Sequence, residues 1–547
     1  MSTLVQHVRN SIIGDRQRIG TPFGDKPLVY ADYVASGRSL SFIEDFIREQ
    51  VLPYYGNTHT EASYAGAQIT ALREQARSEI KRCLNCGPDD QLIFCGSGAT
   101  AAINKLIDVL HLGFPAALAE RYLCDASICE SQRPVVFIGP YEHHSNELPW
   151  RESLAEVVSI PQTESGEIDM TILEHRLKHY ADRSLLIGSF SAASNVTGIK
   201  SDVAAITALL KQYGALVFWD YAAAAPYMRI DMNGENPKDA VFISPHKFIG
   251  GPGTPGILVV KKALLKNTVP TIVGGGTVMY VTPEDHLYIE NLERREEGGT
   301  PAIVESIRAG LVFKLQREVG IEQIEHLEGN LIRRAISRFH NCLNLEILGN
   351  PNLPRLSVIS LRFKHGDKDL HYGFVVSLLN DLFGIQVRGG CSCAGPYGHS
   401  LLGMDMTYSR AIEAEIRRGI MVMRPGWVRL NFNYFIDEDE FDYLMSAIEL
   451  VAGLGWKMLP FYQVDPATGV WRFNGPPTKL ASSLDAWSFA DYCLSVMENE
   501  PKKIGLTGLC AAAEKVMETA VHDEEIATIR LSDESESVRW FVLPHEV

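Results

Sequence analysis

An excess of basic residues is missing from this chain. Lysine and arginine total 51 against 67 aspartates and glutamates, a formal net charge of −16 with a pI near 5.5. Nucleic acid and anionic membrane surfaces both demand a basic face, so neither is the expected partner. Also missing is any apolar run approaching the roughly 18 residues of a membrane span, and Met1 to Asn10 has neither the basic start nor the apolar middle of a signal peptide. A cytoplasmic location is therefore expected. Cysteine is sparse, with ten at 83, 86, 95, 124, 129, 342, 391, 393, 493 and 510. That density excludes a disulfide framework and leaves mostly reduced thiols. Cys83-Leu84-Asn85-Cys86 has metal or redox spacing, but no second cysteine pair or paired histidines accompany it, and it sits at an expected helix end. It reads as structural, and no metal site is expected. Cys124 and Cys129 fall in a segment without pattern and receive no role. Internal repeats and long low-complexity tracts are absent as well.

What is present is apolar material, 46% of 547 residues, enough for two or three domains. From Pro27 to about Leu264, helical patterns such as Thr100–Leu112 and Asp202–Tyr213 alternate with short β-branched runs such as Val135–Ile138, Leu185–Phe190 and Ala215–Trp219. Alternation of this kind implies an α/β fold with a parallel sheet wrapped by helices. A helical stretch from about Pro301 to Arg317 leads to a smaller region whose strands (Ser357–Phe363, Trp427–Asn431) and helices (Tyr372–Phe383, Asp439–Leu454) suggest an α+β domain, with loops able to close over a cofactor. Beyond Trp456, Phe461–Phe473 reads as a hairpin turning at Asp465-Pro466-Ala467-Thr468-Gly469, followed by an acidic end. The expected organisation is an N-terminal segment (1–24), a large α/β domain (25–300), a linking helix with a small α+β domain (301–455), and a C-terminal extension (456–547) without a readable role.

Lys247 is the most informative residue. It lies in Ser244-Pro245-His246-Lys247, directly after the apolar run Ala240–Ile243, and 27 residues upstream the run Ala215–Trp219 ends on Asp220. A strand-end lysine and a strand-end carboxylate are what pyridoxal 5'-phosphate (PLP) requires, one to hold the cofactor covalently and the other to keep its ring nitrogen protonated. Taken singly, Lys247 is equally an ordinary surface residue and Asp220 an ordinary strand cap. Ser97-Gly98-Ala99-Thr100 opens a helix after Leu92-Ile93-Phe94 and points backbone N–H groups at a phosphate. Ser244 and His246 flank the lysine closely enough to add donors.

These stretches, with Tyr30-Ala31-Asp32-Tyr33, Glu142-His143-His144-Ser145-Asn146, Ser194-Asn195-Val196-Thr197-Gly198, Glu297-Gly298-Gly299-Thr300-Pro301, Arg388-Gly389-Gly390-Cys391-Ser392-Cys393-Ala394 and Val428-Arg429-Leu430, resemble the class V aminotransferase family of fold-type I PLP enzymes. The resemblance covers roughly residues 25–455 and is nearest to the cysteine desulfurase and selenocysteine lyase branch. It implies a large domain with a mostly parallel seven-stranded sheet plus a smaller α+β domain. It implies that Lys247 holds PLP, Asp220 pairs with its ring nitrogen, His143 stacks on the ring and moves protons, and Asn195 meets its phenolic oxygen. Ser97, Gly98, Ala99, Thr100, Ser244 and His246 would hold the phosphate, and Thr300 would reach the phosphate of a neighbouring subunit in a homodimer. Arg429, with Arg388 as second choice, and Asn195 would bind the amino-acid substrate.

Two departures stand out. Where the family usually carries a glutamine three residues after the aspartate, this chain has Ala223, and at the sulfur-accepting loop Cys391 replaces what is often a histidine. Cys393 stands at the position of the persulfide-forming thiol. The pair Cys391-Ser392-Cys393 leaves three readings open: sulfur relay, a regulatory disulfide, or two small residues in a glycine-rich turn. Leu401–Arg424 is long enough to act as a lid. The implied function is PLP-dependent cleavage of the C–S bond of L-cysteine or an analogue, giving alanine and a persulfide on Cys393 for a sulfur-acceptor protein. Its rivals are an aminotransferase, an epimerase or a C–S β-lyase of the same family, and a non-catalytic scaffold of the same fold.

Overall fold

The structure is a computed structural model that describes residues 3–58, 62–114, 129–476, 483–485, 488, 503–521 and 529–547. Cys124 and Cys493 lie outside the described residues. Two compact units are present: Met1–Ser11 with Tyr33–Leu327 and Asn352–Leu356, and Ile12–Asp32 with Glu328–Pro351 and Ser357–Val547.

The first unit is built on a seven-stranded sheet. Its strands are β1 (Asp90–Cys95), β2 (Val135–Ile138), β3 (Glu156–Ser159), β4 (Leu186–Ser191), β5 (Leu216–Asp220), β6 (Ala240–Ile243) and β7 (Gly256–Lys261), in the spatial order β1-β7-β6-β5-β4-β2-β3. Only β7 runs against its neighbours. Because β7 is antiparallel to both β1 and β6, those two share one direction. The carboxyl ends of β1, β2, β4, β5 and β6 therefore face the same way. Strands β2, β4 and β6 are buried at every residue, which is why they read as unbroken apolar runs rather than alternating ones. Against the sheet pack helices α2 (Gly98–Val109) and α3 (His144–Arg151), while α1 (Tyr64–Cys83) lays its buried face on the helix Ile303–Val319. The Cys83–Cys86 spacing does fall at the end of α1, and burial raises both thiols, Cys83 to about 11 and Cys86 to about 12.

The second unit holds a five-stranded antiparallel sheet. Its strands are β8 (Leu345–Ile347), β9 (Val358–His365), β10 (Lys368–Leu370), β11 (Arg388–Gly390) and β12 (Trp427–Asn431), in the order β8-β9-β12-β11 with β10 also pairing to β9. Helix α4 (Tyr372–Phe383) covers β11, and Gly384 ends it with φ +72, a left-handed cap that a side chain would resist. The expected hairpin forms as β13 (Tyr462–Asp465) and β14 (Val470–Phe473). It belongs to this unit: Tyr462 donates to Asp381 at 2.8 Å, and Ser377 donates to the Trp471 carbonyl at 3.0 Å. Contrary to the reading that no apolar stretch nears a membrane span, Glu438–Phe461 is long and apolar enough by composition. Its residues Phe441, Leu444, Ile448 and Val451 are instead buried among the unit's own side chains.

Candidate functional site

Most of the expected cofactor residues cluster where the parallel strands of the first unit end. Asp220 closes β5, and Lys247 sits in the short 3-10 turn Pro245–Lys247 after β6. The two strands are adjacent and parallel, so a residue at the end of each emerges side by side. Burial pushes the Asp220 carboxyl above its ordinary range, while the Ala222 N–H, 2.8 Å from Oδ1, and the positive charge of Lys247 draw it back part of the way. A nearly dry carboxylate facing a cation is the electrostatic arrangement a protonated ring nitrogen needs.

The turn between β1 and α2 supplies a second group. Ser97 precedes α2 without capping it through its side chain, and Gly98 N–H donates to the Gly96 carbonyl at 3.2 Å. Ala99 N–H reaches the Ser244 hydroxyl at 2.9 Å. Gly98 has φ +58, and a Cβ there would meet His246 Cε1 at 2.8 Å and Ser244 Oγ at 2.9 Å. The missing side chain thus leaves a small cradle bordered by helix N–H groups, a hydroxyl and an imidazole. Burial and the charge of Lys247 hold His246 down at about 4, so it is a neutral donor at pH 7. A cavity of about 610 Å³ lined by Gly96, Ser97, Gly98, Lys105, His246 and Gly298 opens beside it. The helix dipole, the neutral imidazole of His246 and the nearby hydroxyls suit a phosphate, so the residues present fit PLP on its phosphate side as well as at Asp220.

His143 stands at the N-terminus of α3, half-buried, and its Nδ1 accepts from the Ser145 backbone N–H at 3.0 Å. Ser145 Oγ lies 3.0 Å from the same nitrogen and 2.6 Å from Thr100 Oγ1. The capping role fixes the ring, and a neutral His143 then carries its proton on Nε2. Asn195 follows β4, nearly buried, in a turn organised by the Ser194 hydroxyl, which accepts from Val196 and Thr197 N–H. Ala223 is buried in the turn after Asp220, with no side-chain donor to offer. Thr300 is exposed, and its hydroxyl accepts from Asn57 at 3.5 Å.

Sequence reasoning gave no role to Glu142 or Glu297, although both lie in matched stretches. Glu142 is 3% exposed and accepts from Gly139 N–H, Ser191 N–H, the Ser191 hydroxyl and Asn146. Burial raises it to about 7 despite those four donors. It ties β2 to β4 behind His143. Glu297 accepts from Phe94 N–H at 2.7 Å and pairs with Arg73 and Arg77, pinning the Gly298-Gly299-Thr300 turn to β1.

The remaining candidates belong to the second unit. Arg388 and Arg429 stand directly opposite each other on β11 and β12, an unfavourable like-charge pair unless something intervenes. Asp32 intervenes: one oxygen lies 2.7 Å from Arg429 Nη2 and the other 3.1 Å from Arg388 Nε. Arg429 is 2% exposed, whereas half of the Arg388 side chain is open to solvent. Burial lowers the Arg429 guanidinium, and Asp32 is the chief counterweight. Asp32 is the residue that the sequence reading missed; its signal was its place in the matched Tyr30–Tyr33 stretch. Directly after β11, the thiol loop begins at Cys391. Cys391 and Cys393 are both exposed, and Ser392 (φ 54) and Cys393 (φ 57) are consecutive non-glycine residues in the left-handed region. Helix α5 (Gly395–Leu401) ends where the segment expected as a lid begins, and α6 (Met406–Arg417) occupies the middle of that segment.

Residues 29–444 match the family described as aminotransferase class-V. A probable cysteine desulfurase of Staphylococcus aureus is 28% identical over 395 residues, 71% of this chain and 88% of the relative. One from Halalkalibacterium halodurans is 29% identical over 374 residues, 68% and 85% respectively. Among solved structures, the apo cysteine desulfurase of Thermococcus onnurineus superposes with a TM-score of 0.62 at 22% identity, covering 78% of this chain and 95% of that one. The cysteine desulfurase CsdA of Escherichia coli does so with 0.60 at 22% identity, covering 78% and 94%. These likenesses establish the fold.

Proposed function

The chain belongs to the aminotransferase class V family of PLP-dependent enzymes, and from that premise we propose that it cleaves the C–S bond of L-cysteine or a close analogue, releasing alanine and leaving sulfur on Cys393. The single observation that carries the PLP assignment is the pairing of buried Asp220 with Lys247 at the ends of adjacent parallel strands, beside the cradle at Gly98. When bound, PLP supplies an electron sink for the bond-breaking step. The protein's own residues do the rest. Lys247 anchors the cofactor, Asp220 holds the ring nitrogen charged, and Asn195 meets the phenolic oxygen. The N-terminal end of α2, with Thr100, Ser244 and His246, would take the phosphate, and His143 would hold and move a proton at Nε2.

Arg429 takes the substrate carboxylate. Its guanidinium is held in place by Asp32 and buried, so a carboxylate reaching it exchanges little water for a charge-assisted contact. Cys393 attacks the substrate sulfur as thiolate, on a loop exposed enough to hand the sulfur to an acceptor protein. Relatives whose names read cysteine desulfurase support this reaction. We also infer a homodimer in which Thr300 serves the partner's phosphate, supported by a cluster of exposed apolar side chains at Ile272, Val273, Met279, Tyr280, Val281 and Leu287.

Ala223 favours one further reading. Without a second donor to the phenolic oxygen, the same site also suits β-elimination, which yields pyruvate and ammonia in place of alanine. Purified protein incubated with L-cysteine and a reductant separates the two when alanine, sulfide and pyruvate are measured together. Alanine with sulfide, abolished in Cys393→Ala, is the expected result; pyruvate with undiminished sulfide in that variant overturns it.

A further inference from the structure

The family match ends at residue 444, and the last described stretch, 529–547, lies well beyond it. That stretch returns to the second unit and is fastened at both ends. On one side, helix α8 (Asp533–Val538), which follows α7 (Leu509–Glu518), lies along α6: Ser535 bonds to buried Glu415, and Tyr408 donates to the Val538 carbonyl at 2.8 Å. On the other, Asp369 N–H donates to the Trp540 carbonyl at 3.1 Å and Val542 N–H to the Asp369 carbonyl at 3.0 Å, so Phe541 bridges β10 as a parallel strand would. Arg539 closes the tail on itself through Glu536 and Glu546.

Trp540 is held between these anchors. Its Nε1 donates to the Met423 carbonyl at 3.2 Å, and its indole lies nearly parallel to Tyr372, with centroids 6.0 Å apart and planes 14° apart, and to buried His371 at 5.1 Å and 22°. Tyr372 in turn fills space that two glycines leave open. A Cβ on Gly389 would meet Tyr372 Cδ2 at 2.7 Å, and one on Gly426 would meet Cε1 at 2.8 Å. Gly389 is the middle residue of β11, two positions before Cys391. The strand is three residues long, Arg-Gly-Gly, and has no apolar side chain with which to pack itself. Its order has to come from neighbours.

We propose that Trp540 is a positioning residue for the thiol loop: through Tyr372 it holds β11 against Gly426 and so sets the course of the backbone into Cys391-Ser392-Cys393. The purpose assigned to that loop rests on the sulfur-transfer reading; the contact chain does not. The tail is then the feature by which this chain steadies a loop that glycines alone would leave loose.

Hydrogen–deuterium exchange on full-length wild type, Trp540→Ala and Trp540→Phe tests the claim, with alanine formation from L-cysteine measured in parallel. In Trp540→Ala the amides of 388–394 exchange about fivefold faster while those of β9 and of β4 keep their rates, and kcat falls with KM little changed. Trp540→Phe restores both within about twofold, because a flat ring is what the stack requires. Unchanged exchange at 388–394 in Trp540→Ala overturns the proposal, and so does an equal acceleration in β9, which would make the indole a general stabiliser of the unit. Exchange needs no turnover. A wild-type protein that forms no alanine therefore defeats the sulfur-transfer reading while leaving the positioning claim tested by exchange.

Discussion

The cofactor site proposed at the ends of β5 and β6 and the thiol loop proposed after β11 are held on opposite physical terms. Asp220 ends a strand, and Lys247 closely follows one, that is buried at nearly every residue, so their backbone positions are set by the core. The thiol loop leaves a strand of one arginine and two glycines, turns through two consecutive left-handed residues, and ends with both cysteines exposed. A site that must bind one cofactor in one orientation benefits from rigid walls. A thiol that must meet a substrate and then release its sulfur needs exposure and backbone freedom, which glycine and left-handed turns provide. The first arrangement is stabilised by its own elements, the second by aromatic side chains brought from elsewhere in the chain.

If that contrast holds, the largest effect belongs to the rigid site. Lys247→Ala should lose the visible absorbance of bound PLP and lower turnover by on the order of 10⁴-fold or more with the fold intact by circular dichroism; substantial remaining turnover breaks the assignment. Arg429→Lys comes next. A lysine keeps the charge but not the two-pronged geometry shared with Asp32, and kcat/KM for cysteine should fall by about 10–100-fold, mostly through KM. Arg388→Lys, at a half-exposed position, should cost much less, and an equal loss would reverse the ranking of the two arginines.

Gly389→Ala sharpens the other side of the comparison. Its methyl would sit 2.7 Å from Tyr372 Cδ2, too close without movement of the ring or strand, and a loss of about 1–3 kcal/mol in thermal or denaturant unfolding is expected. A neutral result would mean that β11 is free to shift. The smallest effect concerns acid. Burial alone would raise Glu546, but the Arg539 hydrogen bond, the Leu543 N–H and the charges of Arg539 and Lys368 bring it from 4.5 down to about 2. A carboxyl lowered by folding contributes stability that is complete above pH 4.5 and is lost as pH falls toward 2. The aromatic near-ultraviolet signal of the tail should therefore weaken across that window in wild type, and in Glu546→Gln it should already be weakened at pH 7.

The sequence was legible where burial is uniform. Val135–Ile138, Ala240–Ile243, Tyr372–Phe383 and Trp427–Asn431 form with the boundaries their composition implies, because an apolar run bounded by polar turns has few ways to satisfy its backbone. The turn at Ser97–Thr100 and the lysine after β6 were readable for the same reason. What escaped was partnership across long separations. Nothing local marks Asp32 as the carboxylate between Arg388 and Arg429, some 360 and 400 residues away, or Glu142 as the acceptor of four donors. The apolar stretch 438–461 passed as unremarkable by composition and turned out long enough to span a bilayer, its environment being settled only by packing. Residues 529–547 read as an acidic end because Asp533, Glu534 and Glu536 precede Trp540, and the apolar run Trp540–Leu543 is too short to carry a periodicity.

The chain by itself determined its strands, its helices, and the family to which it belongs, since each of these follows from residues near one another in sequence. Tertiary structure alone decided that β7 runs backwards, bringing the turn after β1 to the same edge as Lys247, and that a tryptophan near the C-terminus lies against Tyr372. Local patterns specify elements through short-range sterics and burial, whereas the meeting of distant side chains depends on the register and direction in which those elements assemble.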